Sequence, residues 1–332
     1  MFARLNRVAH LRSFIVMVGI GVMSVSQALS LESMIAFCSD RTNRGGNRDI
    51  FVMKSDGTEP RNLTADPMSD DYAPSWSPDG AKIAFSSERL GNQEIYVMDA
   101  DGENLIQLTR HRAYDASPSW SPDGKKIAFT SDRDHLFLVG PGQIGDTEIY
   151  VMNADGKNIV RLMKTGGWNH EPSWSPDGRK IAYVSEPNRS GNLEIYVMEA
   201  NGKNPVRLTR NPGWDADPNW SPDGTKIAFE SKRNDSFDIY TIDADGGNLV
   251  RLTKDSAGGG SPSWSPDGRK IAYSTKRDEN YEIYVMDADG GNPTNLTQNL
   301  ALDRAPAWSP IRLAVSPKAR ILMLWGTIKT SQ

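Results

Sequence analysis

Short apolar runs alternate with polar turns along most of this chain. Between about residues 31 and 310, branched and aromatic side chains dominate the runs, and Gly, Pro, Asp and Asn separate them. No stretch of this body sustains the 3.6-residue period of an amphipathic helix. The pattern therefore predicts an all-β chain of short strands.

The runs recur in a fixed order. Each repeat begins with a run ending in Pro-x-Trp, continues through Ser-Pro-Asp-Gly to Ile-Ala-aromatic, and ends with Ile-Tyr-Val-Met and Leu-Thr. The six tryptophans, separated by 44, 54, 46, 44 and 44 residues, are Trp76, Trp120, Trp174, Trp220, Trp264 and Trp308. Ser-Pro-Asp-Gly suits a type I turn, because Pro presets φ at its second position and Gly closes its fourth. A unit of this length repeated six times indicates a repeat architecture.

The two ends of the body complement each other. The chain starts with a second run at Ile35, and its missing first run, Pro-x-Trp, stands at the other end, at residues 306–308. One repeat is therefore shared between the ends. We predict a six-bladed β-propeller of four-stranded antiparallel blades over residues 31–310, closed by pairing of the N- and C-terminal segments, which removes open sheet edges.

Loop lengths predict where function lies. The interval from the Ile of the third run to the Leu of the fourth is 13 residues in all six repeats, whereas the interval between the second and third runs varies from 12 to 22. In an up-and-down blade, the variable loop and the connection between blades share one face, here called the variable face. The tight turns lie on the opposite, fixed face. We expect function on the variable face, where the insertion at 134–145 covers the channel mouth or touches a partner.

The segments outside the body have other signatures. Residues 1–28 carry three arginines and no acid, an apolar stretch at 14–25, and small residues before a cleavage point after Ala28. We expect a signal peptide and export to the periplasm or the medium, with an uncleaved inner-membrane anchor as the alternative. The tail at 311–332 is basic and apolar, and its sequence predicts no structure.

The charge argues against one class of partner, and the cysteine content excludes an intramolecular disulfide. The formal net charge is −4, and the excess acid lies in the body because neither terminal segment contains an acid. An acidic body argues against a nucleic-acid partner, whose binding depends on phosphate neutralisation. Cys38 is the only cysteine, so no intramolecular disulfide can form, and we expect it to be a small buried residue.

The repeat Pro-x-Trp-Ser-Pro-Asp-Gly-x-Lys-Ile-Ala-Phe, followed by Glu-Ile-Tyr-Val-Met-Asp-Ala-Asp-Gly and Leu-Thr, resembles that of TolB-type propellers over roughly residues 31–310. TolB is the periplasmic protein of the Tol–Pal envelope system. The resemblance implies a monomeric, non-enzymatic protein without a cofactor that binds an envelope or secreted protein or peptide, such as a peptidoglycan-associated lipoprotein. We expect the small α/β domain that precedes the propeller of TolB itself to be lacking. Similar repeats precede the hydrolase domain of prolyl-oligopeptidase-like peptidases, but the sequence has no Gly-x-Ser-x-Gly elbow.

One set of candidate site residues stands five positions before the tryptophans. The set, interrupted only by Gly259, comprises Asp71, Asp115, Asn169, Asp215 and Asp303. Beside it lie the aromatic residues Tyr72, Tyr114, Trp168 and Trp214. Because first strands are innermost in a propeller, we expect these residues to surround the channel mouth. Either they cap strand ends and cover blade seams, or they form an acidic, aromatic-rimmed funnel for a basic or sugar-like ligand or a peptide segment.

A second set predicts ion pairs inside the blades. An acid precedes each third run, and an arginine follows the second run in five repeats, with Pro187 as the exception. The acids are Asp49, Glu94, Glu148, Glu194, Asp238 and Glu282, and the arginines are Arg41, Arg89, Arg133, Arg233 and Arg277. We expect each acid to pair with the arginine across its hairpin.

Two patterns bear on metals. His111, His135 and His170 all map to the variable face around the third blade. They are either solvated or the ligands of a transition metal in a polysaccharide-acting, lyase-like enzyme, which is the alternative function. The recurring Asp-x-Asp-Gly, as at Asp99 and Asp101, resembles a calcium loop but is also an ordinary hairpin turn.

Overall fold

The computed structural model describes residues 31–42, 46–134, 146–165, 167–187, 191–233, 236–254, 257–310 and 312–313. The predicted signal peptide, His135, most of the insertion at 134–145 and nearly all of the tail lie outside these residues. Within the described ranges, no helix is long and apolar enough to cross a membrane.

Six four-stranded antiparallel sheets form the blades. Their innermost strands are β5 (Asp71–Trp76), β9 (Asp115–Trp120), β13 (Gly167–Trp174), β17 (Asp215–Trp220), β21 (Gly260–Trp264) and β25 (Asp303–Trp308). The second strands are β2 (Met34–Ser39), β6 (Lys82–Ser87), β10 (Lys126–Ser131), β14 (Lys180–Pro187), β18 (Lys226–Ser231) and β22 (Lys270–Asp278). The third strands are β3 (Asp49–Lys54), β7 (Glu94–Asp99), β11 (Glu148–Asn153), β15 (Glu194–Glu199), β19 (Asp238–Asp243) and β23 (Asn280–Asp287). The outermost strands are β4 (Arg61–Asn62), β8 (Ile106–Gln107), β12 (Val160–Arg161), β16 (Val206–Arg207), β20 (Val250–Arg251) and β24 (Thr294–Asn295).

Blade 1 closes the ring. It consists of β25, β2, β3 and β4, whereas blades 2 to 6 each take four consecutive strands from β5 onward. Ile35 of β2 pairs with Trp308 of β25. Each innermost strand contacts the next one around the circle, and β25 contacts both β21 and β5. The predicted six-bladed propeller closed by its terminal segments is therefore confirmed. A short further pair, β1 (Leu31–Glu32) with β26 (Arg312–Leu313), was not expected.

The core lies in the seams between blades. In each second strand the Ile and the aromatic residue face one neighbouring blade, and the Ala between them faces the other. Ala84 of blade 2 thus packs against Ile127 and Phe129 of blade 3, and all three are fully buried. A small residue opposite large ones lets adjacent blades approach closely. Cys38 is buried in such a seam, as expected, and burial raises the pKa of its thiol to about 11.

The predicted turns occur on the fixed face. In the first of them the amide of Gly80 donates to the carbonyl of Ser77 at 2.8 Å, and the Ser77 hydroxyl donates to the Asp79 carboxylate at 2.6 Å. Gly80 has a φ of 62°, a left-handed conformation that glycine adopts without steric strain. The same bond recurs in the other four complete copies, for example from Gly124 to Ser121.

Every innermost strand contains a β-bulge at the residue before its proline. These six residues have φ between 49° and 54°, and the pairing register shifts around them. They line the central channel and are called the channel ring: Ala73, Ser117, Glu171, Asp217, Ser261 and Ala305. Left-handed backbone is unfavourable for non-glycine residues and for residues before proline. Each bulge is therefore a strained point that the surrounding sheet maintains.

Candidate functional site

The acidic residues five positions before the tryptophans are interior. Asp71, Asp115, Asp215 and Asp303 are fully buried, and Asn169 is 1% exposed. A guanidinium group meets each carboxylate at 2.8 to 3.1 Å, in the pairs Arg89–Asp71, Arg133–Asp115, Arg233–Asp215 and Arg41–Asp303. The β-bulge two residues later shifts the alternation of side chains between the two faces of the strand. These carboxylates therefore lie in the blade interior and not in the channel. They do not form the acidic rim that was one of the two alternatives.

The same arginines brace the blade interior. Arg89 lies 5.6 and 4.8 Å from the ring centroids of Phe85 and Tyr96, and its Nε donates to the Ser87 hydroxyl at 2.8 Å. Stacking on aromatic faces and pairing with a carboxylate together suit a guanidinium group. For these four arginines, the prediction that they pair with the acids before the third strands is therefore wrong.

The acids before the third strands tie down the variable face instead. Glu94 accepts hydrogen bonds from the Thr109 hydroxyl at 2.6 Å and from the His111 amide at 2.7 Å. Asp238 pairs with Arg251 of the outermost strand at 2.8 Å. Since these bonds reach the connection that leaves each blade, they anchor the loops of the variable face.

A cavity of about 710 Å³ opens on the variable face across blades 3, 4 and 5. We call it the aromatic pocket, and its principal lining residues are Tyr114, Trp168, His170, Glu171, Glu186 and Trp214. The structure thus brings together three of the four aromatic residues singled out in the sequence, together with one of the three histidines. Tyr72 is not among the lining residues, because it lies in blade 2 with the Arg48 guanidinium 5.3 Å from its ring.

The two pocket tryptophans are exposed, and Trp214 is held in place. Trp168 is 45% and Trp214 50% exposed. The indole of Trp214 donates to the Gly191 carbonyl at 3.1 Å, and its own carbonyl accepts the Lys232 amide at 2.8 Å. The backbone of Gly213 approaches Lys232 so closely that a Cβ atom there would lie 1.8 Å from the Lys232 carbonyl. Trp214 is therefore held in place without being covered.

Glu186 is a buried carboxylate in the pocket wall. It pairs across β13 and β14 with Trp168, so the two side chains are neighbours on one sheet face. It is 8% exposed, and its Oε1 accepts the Gly191 amide. Its Oε2 has no hydrogen-bond partner among the residues that the structure describes. Glu186 was not among the predicted site residues, although it precedes Pro187, the only break in the arginine series.

Three further acids gather where the pocket meets the channel. Glu171 accepts the amide of Asp217 at 2.8 Å, and Ser261 donates its hydroxyl to Asp217 at 2.7 Å and its amide to Glu230 at 3.2 Å. Burial and the charge of Glu171 raise the pKa of Asp217 well above its usual range and that of Glu230 to about 7. These groups can hold protons at neutral pH. The acids of the channel ring were missed because the sequence pattern did not reveal the bulge.

The two described histidines, His111 and His170, do not share one site. His170 lies in the pocket with its Nδ1 3.2 Å from Glu171. The Nδ1 of His111 accepts the Ala113 amide at 3.2 Å, and His111 does not line the pocket. His135 falls outside the described residues. Within the described part of the chain, no group of three or more His, Cys, Asp or Glu side chains is arranged to hold a metal ion.

The Asp-x-Asp-Gly motifs form hairpin turns between third and outermost strands. The Gly102 amide donates to the Asp99 carbonyl at 2.9 Å. The Asp99 carboxylate accepts bonds from Lys82 at 2.6 Å and from Asn104 at 2.7 Å. Its oxygens are therefore used within the turn and the neighbouring strand.

Comparison with known proteins agrees with this architecture. The family model described as TolB beta propeller domain matches residues 68–139 and 187–259. The Tol-Pal system protein TolB of Bordetella pertussis is 34% identical over 146 residues, which are 43% of this chain and 30% of that protein. The crystal structure of TolB from Acinetobacter baumannii superposes with a TM-score of 0.70 at 26% identity, over 84% of this chain and 67% of that one.

The matches cover only part of each curated relative. The matching segment spans less than half the length of the curated relatives, from 30% to 46% of those compared. An oligogalacturonate lyase from Vibrio parahaemolyticus superposes with a TM-score of 0.56 at 12% identity, over 78% of this chain and 73% of that one. At that identity the likeness concerns the fold alone.

Proposed function

We propose, from the premise that this chain is a TolB-type β-propeller, that it is a non-enzymatic binding protein of the cell envelope. Its partner is a protein or peptide that docks on the variable face over the aromatic pocket. The observation that carries the proposal is the pair of exposed tryptophans, Trp168 and Trp214, at the edge of a cavity of about 710 Å³.

The distribution of exposed apolar side chains supports a contact on this face. Met68, Leu90 and Leu300 are 86%, 68% and 75% exposed, and each lies in a loop or blade connection of the variable face, as Trp214 does. Trp168 lies near the start of β13. The other large apolar side chains that the described residues expose lie in, or directly before, the outermost strands. Contiguous exposed apolar surface is typical of protein interaction sites, and the two half-exposed tryptophans line one pocket.

The energetics favour a rigid contact. Each tryptophan leaves on the order of 100 Å² of its side chain in solvent, so covering it would contribute about 2–3 kcal/mol. Because Trp214 is already held by its hydrogen bonds to Gly191 and Lys232, little side-chain entropy is lost when a partner covers it. Preorganised aromatic side chains are the usual anchors of protein interfaces.

The relatives suggest the kind of partner. A match carries the name Tol-Pal system protein TolB. We therefore propose that this chain acts as a monomer, without a cofactor, in the periplasm, and that a peptidoglycan-associated lipoprotein is the first partner to test. Export through the amino-terminal segment is part of the same proposal.

Binding calorimetry between the full chain and the peptidoglycan-associated lipoprotein of its own organism tests the proposal. We expect Trp168→Ala and Trp214→Ala each to weaken binding by at least about tenfold. Val160→Ala, which removes an apolar group 57% exposed on the outermost strand of blade 3, is the matched control and should leave the affinity unchanged. Undiminished binding by both tryptophan variants would refute the assignment of the contact surface.

The alternative, a metal-dependent polysaccharide enzyme, has one observation in its favour: His170 and Glu171 lie together in the pocket. A binding protein is the better supported function, because His111 lies away from the pocket and its Nδ1 already accepts a hydrogen bond. Metal analysis of the purified chain separates the two. Stoichiometric zinc or manganese that is lost in His170→Ala would favour the enzyme.

A further inference from the structure

The aromatic pocket carries chemical groups that favour a cationic occupant. The aromatic pocket has two indole faces open to solvent and a buried carboxylate, Glu186, with one oxygen unpartnered among the described residues. Among the residues that the structure describes, no lysine or arginine lines it. An apolar ligand would leave that carboxylate desolvated and unpaired, which is unfavourable. A cation would satisfy both the carboxylate and the aromatic faces.

We propose that the aromatic pocket receives an arginine side chain of the partner, with the guanidinium group against Trp168 and Trp214 and an N–H donated to Glu186 Oε2. The inference rests on the proposed function for the identity of the docking surface. It adds the chemistry of the group that occupies the surface.

The placement of the three pocket groups supports a single cage. Trp168 and Glu186 are directly opposed on β13 and β14. Gly191 joins the other two groups, since its amide donates to Glu186 and its carbonyl accepts the Trp214 indole. Gly191 therefore links the carboxylate that is paired with Trp168 to the second indole.

The protein itself holds arginine in this way four times. Each of the guanidinium groups lies 4.8 to 6.0 Å from the centroids of two aromatic rings and 2.8 to 3.1 Å from an aspartate; they belong to Arg41, Arg89, Arg133 and Arg233. The pocket offers the same two kinds of contact to an arginine from outside. A guanidinium group is planar and weakly hydrated, so it suits this environment better than the ammonium group of lysine.

Blade 4 is also the blade in which the repeat's own arginine is absent, since Pro187 occupies its position. The equivalent of Glu186 in blade 2 is Glu88, which is exposed and accepts the Gln93 side chain. The equivalents in blades 1 and 3, Asp40 and Asp132, are buried as Glu186 is. Blade 4 differs from blades 1 and 3 because Pro187 stands where an arginine follows each of those aspartates.

Titration of the full chain with a blocked tripeptide, acetyl-Gly-Arg-Gly-amide, tests the inference by calorimetry or saturation-transfer NMR. We expect saturable binding, at least about tenfold weaker binding of the citrulline analogue, which keeps the shape but loses the charge, and intermediate binding of the lysine analogue. Equal binding of citrulline overturns the proposal, and equal binding of lysine overturns the choice of arginine. A peptidoglycan disaccharide that binds while the arginine peptide does not overturns it as well.

Variants locate the binding. Glu186→Gln should weaken the arginine peptide by at least about fivefold, whereas the matched variant Glu88→Gln should not; equal effects would overturn the assignment. The same variants separate this inference from the proposed function. If Trp168→Ala and Trp214→Ala weaken lipoprotein binding and Glu186→Gln does not, the function stands and the arginine inference fails. If the peptide binds at Glu186 but no pocket variant affects the lipoprotein, the inference stands and the function fails.

Discussion

Blade 4 departs from the other blades at two positions, and the departures compensate. Where blades 1, 2, 3 and 5 bury an aspartate against an arginine, blade 4 has Asn169 and Pro187. A buried carboxylate without its arginine would be strongly destabilising. The amide of Asn169 removes that charge, donating to Glu148 at 3.2 Å and to Thr165 at 2.7 Å while its Oδ1 accepts the Ser185 hydroxyl at 2.8 Å.

Replacing this amide with an acid tests the argument. Asn169→Asp would bring a second carboxylate against Glu148 in a fully buried site, so we expect the free energy of unfolding to fall by about 2–4 kcal/mol at neutral pH. The new carboxylate would have a raised folded-state pKa, so stability should recover as pH falls towards its unfolded pKa. Urea unfolding at about pH 5 and pH 8 measures both effects.

The matched control is Asn201→Asp, an exposed turn position at which other repeats carry aspartate, for example Asp101 and Asp155. It should change the free energy of unfolding by less than about 0.5 kcal/mol. Equal stabilities for the two variants would show that the buried amide does not compensate for the absent arginine.

Glu230 should make the stability of the propeller fall as pH rises. Burial first, and then the charge of Glu171, raise its pKa in the folded protein from 4.5 to about 7. Between these values the folded state binds more protons than the unfolded state, so stability declines with increasing pH. Glu230→Gln cannot ionise and should therefore be about 1–3 kcal/mol more stable than the native chain at about pH 8, and equal to it near pH 4.

Glu88→Gln, which changes an exposed acid, is the control for this titration. Denaturant unfolding across the pH range compares the two variants with the native chain. A native chain whose stability is constant between pH 5 and 8, or a glutamine variant with an unchanged slope, would contradict the role assigned to Glu230.

At the scale of strands, the β-bulge in each innermost strand determines which side chains line the central channel. In a strand without a bulge, side chains would alternate regularly between the two faces. We expected Asp71 and its equivalents at the channel mouth because the sequence does not show the bulge. The bulge at Ala73 places the channel-ring residue inward and Asp71 within the sheet, where it meets Ser87 and Arg89. Six strained residues in equivalent positions define the channel wall.

Glycine substitution measures the strain of one bulge. Ala305 and Ala307 lie in the same strand and pack against the same apolar cluster, but only Ala305 has a positive φ, 51°. Ala305→Gly should raise the free energy of unfolding by about 0.5–1 kcal/mol, because glycine adopts this conformation freely. Ala307→Gly should lower it by a similar amount. Denaturant unfolding of the pair gives the difference, and a loss of stability in both would contradict the assignment of strain.

The repeat predicted much of the fold because its signals are local. Ser-Pro-Asp-Gly encodes its own turn. The Pro-x-Trp run that is missing before Ile35 stands at residues 306–308, which implies ring closure. The candidate site was only partly predictable. Trp168 and Trp214 stand out in any repeat alignment, whereas Glu186 becomes relevant only when cross-strand pairing places it beside Trp168. The arginine partners were misassigned because a one-residue bulge moves a side chain to the other face of its sheet.

At the scale of the whole molecule, stability depends on a strand drawn from the far end of the chain. β25 supplies the Trp308 pairing to Ile35, the carboxylate of Asp303 to Arg41, and the carbonyl of Ala307 to the Trp76 indole at 3.0 Å. The last bond crosses from blade 1 to blade 2. Closure therefore connects not only the two termini but also adjacent blades.

Ending the chain before Asp303 would remove all of these contacts and expose β2 as an open edge. Open edges pair with other chains, so we expect a fall in Tm of at least about 10 °C and concentration-dependent association in analytical ultracentrifugation. A chain ending at Leu313 keeps every described strand of the ring, and it should remain a monomer with a single cooperative transition. If the chain ending before Asp303 had the same Tm and the same monomeric state as the chain ending at Leu313, the stability of the ring would come from contacts within blades. Loss of closure with retained lipoprotein binding would further show that the aromatic pocket, built by blades 3 to 5, assembles without blade 1.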